Sequence, residues 1–199
     1  WMHNGYVTVE GEKMSKSLGN FYTVHQLLEE GLPGEAIRLA LLSAHYRAPL
    51  DFSKDKIAEC KAQLDRMYGA LEGYEGEGVV SDEFLAALSD DLNTPQALAE
   101  LHALTSEINK TEGDKRALQA ELKGSAKLVG LLEQSPEAWF HSAVAGQFSA
   151  DEIETMIQKR IDARKNKDFA EADRIRDALA ADKVELLDRP GGVTEWRRL

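Results

Sequence analysis

Three apolar stripes at helical spacing constrain the fold of this chain more than any other feature of its sequence. Residues three or four apart lie on the same face of an α-helix. The stripes comprise Ile57, Cys60, Leu64, Met67 and Leu71; then Leu98, Leu101, Leu104 and Ile108; then Leu118, Leu122, Ser125, Val129 and Leu132. No isolated helix can bury such a face, so we predict an antiparallel helical bundle over residues 54–141.

Glycine, proline and capping residues mark where these helices begin and end. The stretch from Gly73 to Gly78 has three glycines in six positions, which predicts a loop. We expect Thr94 to cap the next helix, with Pro95 at its first position, and Pro136 to close the bundle. Two pairs stand at capping-box spacing elsewhere in the chain: Thr23 with Gln26, and Ser149 with Glu152.

The segments on either side of the bundle have mixed secondary structure. Residues 6–9 are β-prone and lead into a polar loop over 10–20, followed by two helices, the second over 34–45. Residues 142–148 are small and polar and predict a linker. Two helical patterns and two β-prone runs around a turn at 189–192 then predict a small mixed α/β domain over 149–199. The expected fold class is therefore mainly α.

Composition excludes several classes of protein. No apolar run approaches the roughly 20 residues that cross a bilayer, so no membrane association is predicted. The single cysteine, Cys60, excludes an intrachain disulfide and a multi-cysteine zinc site, and it favours a reducing cytoplasm. The net charge is -11, with seventeen acidic and nine basic side chains over 54–150. This distribution disfavours indiscriminate nucleic-acid binding but leaves room for selective contacts at the two ends.

The run Lys13-Met14-Ser15-Lys16-Ser17 is the segment with the clearest chemical potential. It places two ammonium groups three residues apart on a loop flanked by glycines. Attack on the α-phosphate of a nucleotide develops negative charge on the phosphate oxygens and on the departing pyrophosphate. Two mobile lysines could stabilise that charge in the transition state, and the serine hydroxyls could donate hydrogen bonds to it. For these residue types in arbitrary order, a solvated basic loop is the alternative.

The order of these residues resembles the signature loop of class I aminoacyl-tRNA synthetases, and the match extends from Gly11 to Phe21. Two further runs, Trp1 to Gly5 and Asp90 to Pro95, are similar to those of cysteinyl-tRNA synthetases. The run from Arg164 to Asp173 resembles the anticodon-reading domain of that family. The resemblance covers nearly the whole chain. Together with the Trp at its start, it leads us to expect the carboxyl-terminal portion of a longer protein.

The resemblance implies a domain organisation and a set of site residues. Residues 1–53 would end the catalytic domain and form the stem-contact region, residues 54–141 would dock along the tRNA, and residues 149–199 would read the anticodon. Lys16 would contact ATP and Lys13 would assist as the second catalytic lysine. The expected ATP-binding residues are Lys13, Met14, Ser15, Lys16 and Ser17. The expected anticodon-binding residues are Arg164, Phe169, Asp173, Asp188 and Trp196.

The resemblance also implies parts that this chain lacks. The nucleotide-binding fold, a second signature with paired histidines and the zinc ligands of the family all precede Trp1. We therefore expect no metal site in this chain and no adenylation of cysteine by the chain alone. Joined to its amino-terminal part, it would activate cysteine with ATP and transfer it to cysteine tRNA, as a cytoplasmic monomer.

Alternatives remain open at this point. A related ATP-dependent cysteine ligase with an amino-sugar acceptor shares the loop but lacks the terminal domain, and a non-catalytic tRNA-binding or interaction module has no need of Lys13 and Lys16. Individual residues also have structural readings. Asp90 to Pro95 could simply stop and restart a helix, Arg164 and Asp173 could pair with neighbours, and Trp196 could pack on the terminal helices.

Overall fold

A computed structural model of the chain describes residues 1–9, 11–141, 148–188 and 193–198. The predicted turn at 189–192 and all but the last residue of the predicted linker lie outside the described residues. Contacts between residues divide the chain into two compact units, Trp1–Pro136 and Glu137–Leu199. The described part is mainly helical, which confirms the predicted fold class.

The elements follow one another in a mostly helical order. The first unit contains β1 (Val7–Val9), β2 (Glu12–Lys13), a 3-10 helix (Lys16–Leu18), α1 (Val24–Glu29), α2 (Gly34–Leu42), β3 (Leu50–Asp51), α3 (Lys54–Ala70), α4 (Asp82–Ser89), α5 (Thr94–Lys110) and α6 (Arg116–Leu128). Then come α7 (Pro136–His141), α8 (Ala150–Lys165), α9 (Phe169–Ala181), β4 (Val184–Asp188) and β5 (Thr194–Arg198). None of the helices in the described ranges combines the length and the apolar character that a bilayer crossing requires.

The first unit begins with a small sheet in which β1 lies between β2 and β3. Strand β1 pairs antiparallel with β2, where Thr8 faces Lys13, and parallel with β3, where Val7 faces Leu50. The sequence predicted only the central strand. Strand β3 runs almost directly into α3, whose first turn is capped by the side chain of Ser53. The sheet and the bundle therefore share one continuous stretch of backbone.

The helical stripe of α3 forms the centre of the bundle, as predicted. Each of its members is buried: Ile57, Cys60, Leu64, Met67 and Leu71. Helices α2 and α5 pack against α3, and α5 also packs against α4 and α6. Burial raises the pKa of the Cys60 thiol, as expected for a cysteine that serves as a small apolar core residue.

A buried polar junction joins α2, α3 and the segment after α6. The hydroxyl of Tyr68 donates to the carboxylate of Glu35, with oxygen–oxygen distances of 2.9 and 3.0 Å. The amide of Leu132 donates to the same carboxylate at 2.9 Å, and the amide of Gln134 donates to the Tyr68 hydroxyl at 3.3 Å. Burial, followed by the nearby charge of Glu35, raises the pKa of Tyr68 well above its usual value. The junction thus satisfies polar groups that the fold removes from water.

The loop before α4 packs directly on the backbone of α6. A Cβ atom added at Gly124 would lie 2.3 Å from the backbone nitrogen of Val79, which is closer than any real contact. The Val79 amide donates to the carbonyl of Ala120 at 2.9 Å, and the Ser81 amide donates to the hydroxyl of Ser125 at 3.0 Å. Glycine at position 124 is therefore required by the close approach of two backbones.

Two helix boundaries differ from the prediction. Helix α2 ends at Leu42 rather than at His45. Beyond it, the hydroxyl of Ser43 bonds back to the carbonyl of Ala40 at 2.7 Å, and the ring of His45 bonds to the backbone carbonyl of Asp91 at 3.0 Å. These contacts replace the next turn of helix.

The cap of α5 is Asn93 and not Thr94. The side chain of Asn93 accepts a hydrogen bond from the amide of Gln96 at 3.2 Å. Thr94 is the first helical residue, and its hydroxyl donates to the carbonyl of Ala44 at 3.3 Å. Pro95 therefore takes the second helical position, where a missing amide hydrogen still costs no helical bond. In contrast, both predicted capping boxes are confirmed.

The second unit is the predicted mixed α/β domain. Helices α8 and α9 pack together, and β4 pairs antiparallel with β5 so that Leu186 faces Trp196. Its core consists of Ile153, Ile157, Ile175, Leu179, Val184 and Trp196. The helices thus cover one face of a two-stranded ribbon that could not stand alone.

Candidate nucleotide-binding loop and RNA-reading surface

The predicted phosphate-binding loop leaves its cationic groups exposed. Lys13 ends β2, and Lys16 begins the 3-10 helix together with Ser17; all three are exposed. The hydroxyl of Ser15 caps this helix by accepting from the amide of Leu18 at 3.3 Å, and it lies 3.2 Å from the hydroxyl of Ser17. Two ammonium groups and two hydroxyls are therefore available on one short segment.

The side chain of Asn20 fixes the backbone of this loop. The amide of Ser15 donates to Asn20 Oδ1 at 2.8 Å, and Asn20 Nδ2 donates to the carbonyl of Lys13 at 3.3 Å. Between them, the amide of Met14 donates to the carbonyl of Val7 at 3.1 Å. The backbone is thus held on both sides of Met14 while the lysine side chains stay free to move. Our sequence reading missed this role for Asn20, although its place at the end of the signature was visible.

Lys16 has an aromatic neighbour within the same segment. Its Nζ lies 5.6 Å from the centroid of the Phe21 ring, at a distance typical of a cation–π contact. Such a contact is weak at an exposed site, so a phosphate group could compete for the ammonium.

Asp51 holds the start of the loop. Its Oδ1 accepts from the amide of Gly11 at 3.1 Å and from the hydroxyl of Thr8 at 2.8 Å. These two hydrogen bonds, the Gly11 bond first, lower the pKa of Asp51. Since Asp51 ends β3, the base of the loop is fixed to the strand that leads into α3. This residue was not predicted from the sequence.

The run from Asp90 to Pro95 forms an anchored break between α4 and α5. Asp91 and Leu92 both have left-handed backbone conformations, with φ of 52° and 55°. The carboxylate of Asp91 accepts from the hydroxyl of Tyr46 at 2.6 Å and from Nε of Arg47 at 2.9 Å. Hydrogen bonds from Arg47 and then Tyr46 lower the pKa of Asp91. This geometry supports the reading of the run as a helix stop and restart.

In the second unit, four donors surround the carboxylate of Asp188. Arg160 donates with both terminal nitrogens, each at 3.1 Å to a different oxygen. Arg164 donates to Oδ2 at 3.2 Å, and the hydroxyl of Thr194 donates to Oδ1 at 2.8 Å. These partners, Arg160 foremost, hold the pKa of Asp188 well below its usual range. Two predicted RNA-contacting residues, Arg164 and Asp188, therefore lie in direct contact.

Arg160 is a member of this cluster that sequence reasoning missed. It lies four residues before Arg164 in α8, so both guanidinium groups project from one helix face. That spacing was visible in the sequence, but nothing there indicated that Asp188, in a strand, would lie opposite.

Two other predicted RNA-contacting residues are exposed on α9. Phe169 is the first residue of the helix and 62% exposed, which is unusual for so large an apolar side chain. Asp173 lies four residues later on the same face and pairs with Arg176 at 3.2 Å. An exposed aromatic ring beside hydrogen-bonding groups is typical of surfaces that bind unstacked bases.

Trp196, the fifth predicted residue, belongs to the core. It is only 5% exposed, its Nε1 donates to Oε1 of Glu154 at 2.6 Å, and its ring stacks on His141 with 4.5 Å between centroids. Its ring faces are therefore covered, and the structure favours the alternative in which it packs on the terminal helices. A tryptophan in a half-buried strand suits either role, so the sequence could not separate them.

The part of the chain that the structure describes contains no group of three or more histidine, cysteine, aspartate or glutamate side chains that could hold a metal ion. The acidic residues discussed above are instead engaged by arginine, tyrosine, threonine and backbone donors.

Comparison with known proteins gives two family matches and a set of close relatives. Residues 1–62 match the family model described as tRNA synthetases class I (C) catalytic domain, and residues 83–133 match the DALR domain. The chain is 52% identical over 209 residues to the cysteine--tRNA ligase of Paramagnetospirillum magneticum, and 55% identical over 203 residues to that of Rhodospirillum centenum. It is 48% identical over 207 residues to that of Saccharophagus degradans.

These similarities extend along the whole chain but not along the whole of each relative. All three alignments cover 100% of this chain, and they cover 45%, 44% and 45% of the respective relatives. The chain thus spans a little under half the length of the proteins that it resembles.

Proposed function

We propose that this chain, a homologue of cysteine--tRNA ligases along its entire length, supplies the signature loop and the tRNA-reading part of such an enzyme. The complete protein activates cysteine with ATP and transfers it to cysteine tRNA. The observation that carries this proposal is the loop at 11–20, which holds its backbone through Asn20 and Asp51 while keeping Lys13 and Lys16 exposed.

In this proposal the loop acts on the triphosphate of ATP. Lys16 binds the phosphates and Lys13 assists, so that both stabilise the negative charge that develops as pyrophosphate departs. The hydroxyls of Ser15 and Ser17 add hydrogen bonds, and Met14 contributes its place in the loop backbone. Zinc would serve the complete enzyme through ligands outside this chain.

The second unit reads the anticodon of cysteine tRNA. Arg164, Asp173 and Asp188 bond to base edges, and Phe169 stacks on an unpaired base. Trp196 stabilises the domain from within. We further propose that the complete protein acts as a monomer in the cytoplasm, where a single buried cysteine stays reduced.

The test of the loop uses the complete enzyme. We expect Lys16→Ala to lower the rate of cysteine-dependent pyrophosphate exchange by about 10²–10³, the usual loss when one donor to a developing charge is removed. Lys110→Ala changes an exposed lysine at the end of α5 and serves as the matched control. Equal exchange rates for the two variants would refute the assignment of Lys16.

The test of the second unit uses the 199-residue chain and two transcripts. Binding to cysteine tRNA is measured at two salt concentrations beside a transcript with a replaced anticodon. Each lost base contact is expected to cost on the order of 1–3 kcal/mol, and lost phosphate contacts appear in the salt slope. Equal affinity for both transcripts would contradict the base-reading assignments. The chain alone is expected to catalyse no exchange.

A further inference from the structure

The carboxylate of Asp188 has no acceptor position left for an RNA base. Each of its oxygens accepts two hydrogen bonds: Oδ1 from Arg160 and Thr194, and Oδ2 from Arg160 and Arg164. An ionised carboxylate offers about four acceptor sites, so these donors occupy all of them. A base can reach Asp188 only if one of the present donors leaves.

The two arginines differ strongly in how firmly they are held. The side chain of Arg160 is 10% exposed, whereas that of Arg164 is 53% exposed. Arg160 makes two parallel hydrogen bonds in the fork geometry that guanidinium groups favour, and Arg164 makes one. Removal of Arg160 would leave both a buried guanidinium and its partner carboxylate unpaired, while Arg164 can move into water at little cost.

We propose that Arg164 and Asp188 exchange partners when RNA binds, and that Arg160 is the positioning residue that makes this exchange possible. Arg164 leaves Asp188 Oδ2 and bonds to a base edge, and the acceptor site that it vacates receives an N–H donor of the RNA. One contact within the free protein is thus replaced by two contacts with RNA. This inference rests on the proposed anticodon-reading function of the second unit.

Arg160 keeps Asp188 ionised and oriented throughout the exchange. Two arginines four residues apart on one helix face repel each other, and Asp188 offsets that repulsion in the free protein. The cluster of two arginines and one aspartate retains one positive charge, which attracts phosphate groups to an otherwise acidic chain. When Arg164 departs, the fork from Arg160 and the hydroxyl of Thr194 still fix three of the four acceptor sites.

Arginine side-chain nitrogen NMR on the 199-residue chain tests the exchange directly. The probe is a stem-loop RNA with the cysteine anticodon, and the signals are assigned with Arg160→Lys and Arg164→Lys. We expect the Arg164 signals to shift on binding while the Arg160 signals keep their position. If the RNA binds with anticodon preference and the Arg164 signals do not move, this inference is overturned and the proposed function stands. If the chain shows no anticodon preference, both fall.

Affinity measurements test the role of Arg160. Lysine keeps the charge but cannot bond to both oxygens of one carboxylate, so Arg160→Lys should reduce the preference for the cysteine anticodon by roughly tenfold, within the range of one lost base contact. Arg174→Lys is the matched control, because Arg174 forms a similar fork with Glu171 but is 75% exposed. A purely structural role would leave the ratio of affinities for the two anticodons unchanged in the folded Arg160→Lys chain, and that result would overturn the assignment.

Discussion

Replacement of Tyr68 by phenylalanine tests the buried junction of the first unit. The change deletes one hydroxyl, which donates to Glu35 and accepts from the amide of Gln134. Tyr68 has no exposed surface, so water cannot replace the lost partner. Hydrogen bonds to charged groups contribute about 1.5–3 kcal/mol, and we expect Tyr68→Phe to lower the free energy of unfolding by that amount.

Urea unfolding followed by far-ultraviolet circular dichroism is the appropriate assay. With a denaturant dependence of about 1–3 kcal/mol per molar, a loss of about 2 kcal/mol moves the midpoint by roughly 1 M. Tryptophan fluorescence supplies an internal control, since Trp139 and Trp196 are both buried in the second unit and should report an unchanged transition. Tyr74→Phe removes an outward hydroxyl that bonds to Glu77 and is the matched control.

The pH dependence gives a second and sharper check on Tyr68. Its folded-state pKa is raised above the unfolded value of about 10. The stability that it contributes is therefore complete below about pH 10 and falls as the pH rises further, because the unfolded chain releases the proton first. The difference between Tyr68→Phe and the parent should narrow above that pH. A constant difference, or equal midpoints at neutral pH, would refute the argument from the hydrogen-bonded junction.

Two further predictions concern the backbone and the anchored break. Gly124→Ala would force a Cβ to within 2.3 Å of the Val79 nitrogen and should cost about 1–3 kcal/mol in thermal or urea unfolding, whereas Gly69→Ala, in a helix with nothing within 4 Å, should stabilise by about 0.5–1 kcal/mol. The same sign for both would contradict the packing argument. Asp91→Asn should destabilise the chain at neutral pH through the loss of its pairing with Arg47. Because the folded pKa of Asp91 is depressed, that difference should vanish as the pH falls below about 4, as followed by acid titration of the unfolding midpoint.

Patterns that repeat along the chain predicted much of this fold. The period of the apolar stripe in α3 identified its buried face, and paired residues at capping-box spacing identified the starts of α1 and α8. Each of these signals is local, because the residues concerned lie within a few turns of one another. The candidate loop was equally visible, since its lysines and serines are adjacent in sequence.

Contacts between distant residues could not be predicted in the same way. Strands β2 and β3 are two residues long, too short for alternation to reveal them. Arg160 and Asp188 are 28 positions apart, and Asp91 and Arg47 are 44 apart. Nothing in the local pattern of either partner specifies the other. The fold brings such pairs together, and a sequence reading identified only those members that a family resemblance supplied.

The continuous passage from β3 into α3 determines how this protein can exchange parts with its relatives. Recombination before Leu50 would give β1 a foreign partner strand and give Gly11 a foreign acceptor in place of Asp51. Recombination just after Ser53 would place a foreign α3 against the native α2. Chimeric enzymes joined near residue 53, where the sequence suggests a domain border, should therefore lose activity more often than those joined between Pro136 and Glu137. The loop and the helices beneath it are inherited as one block.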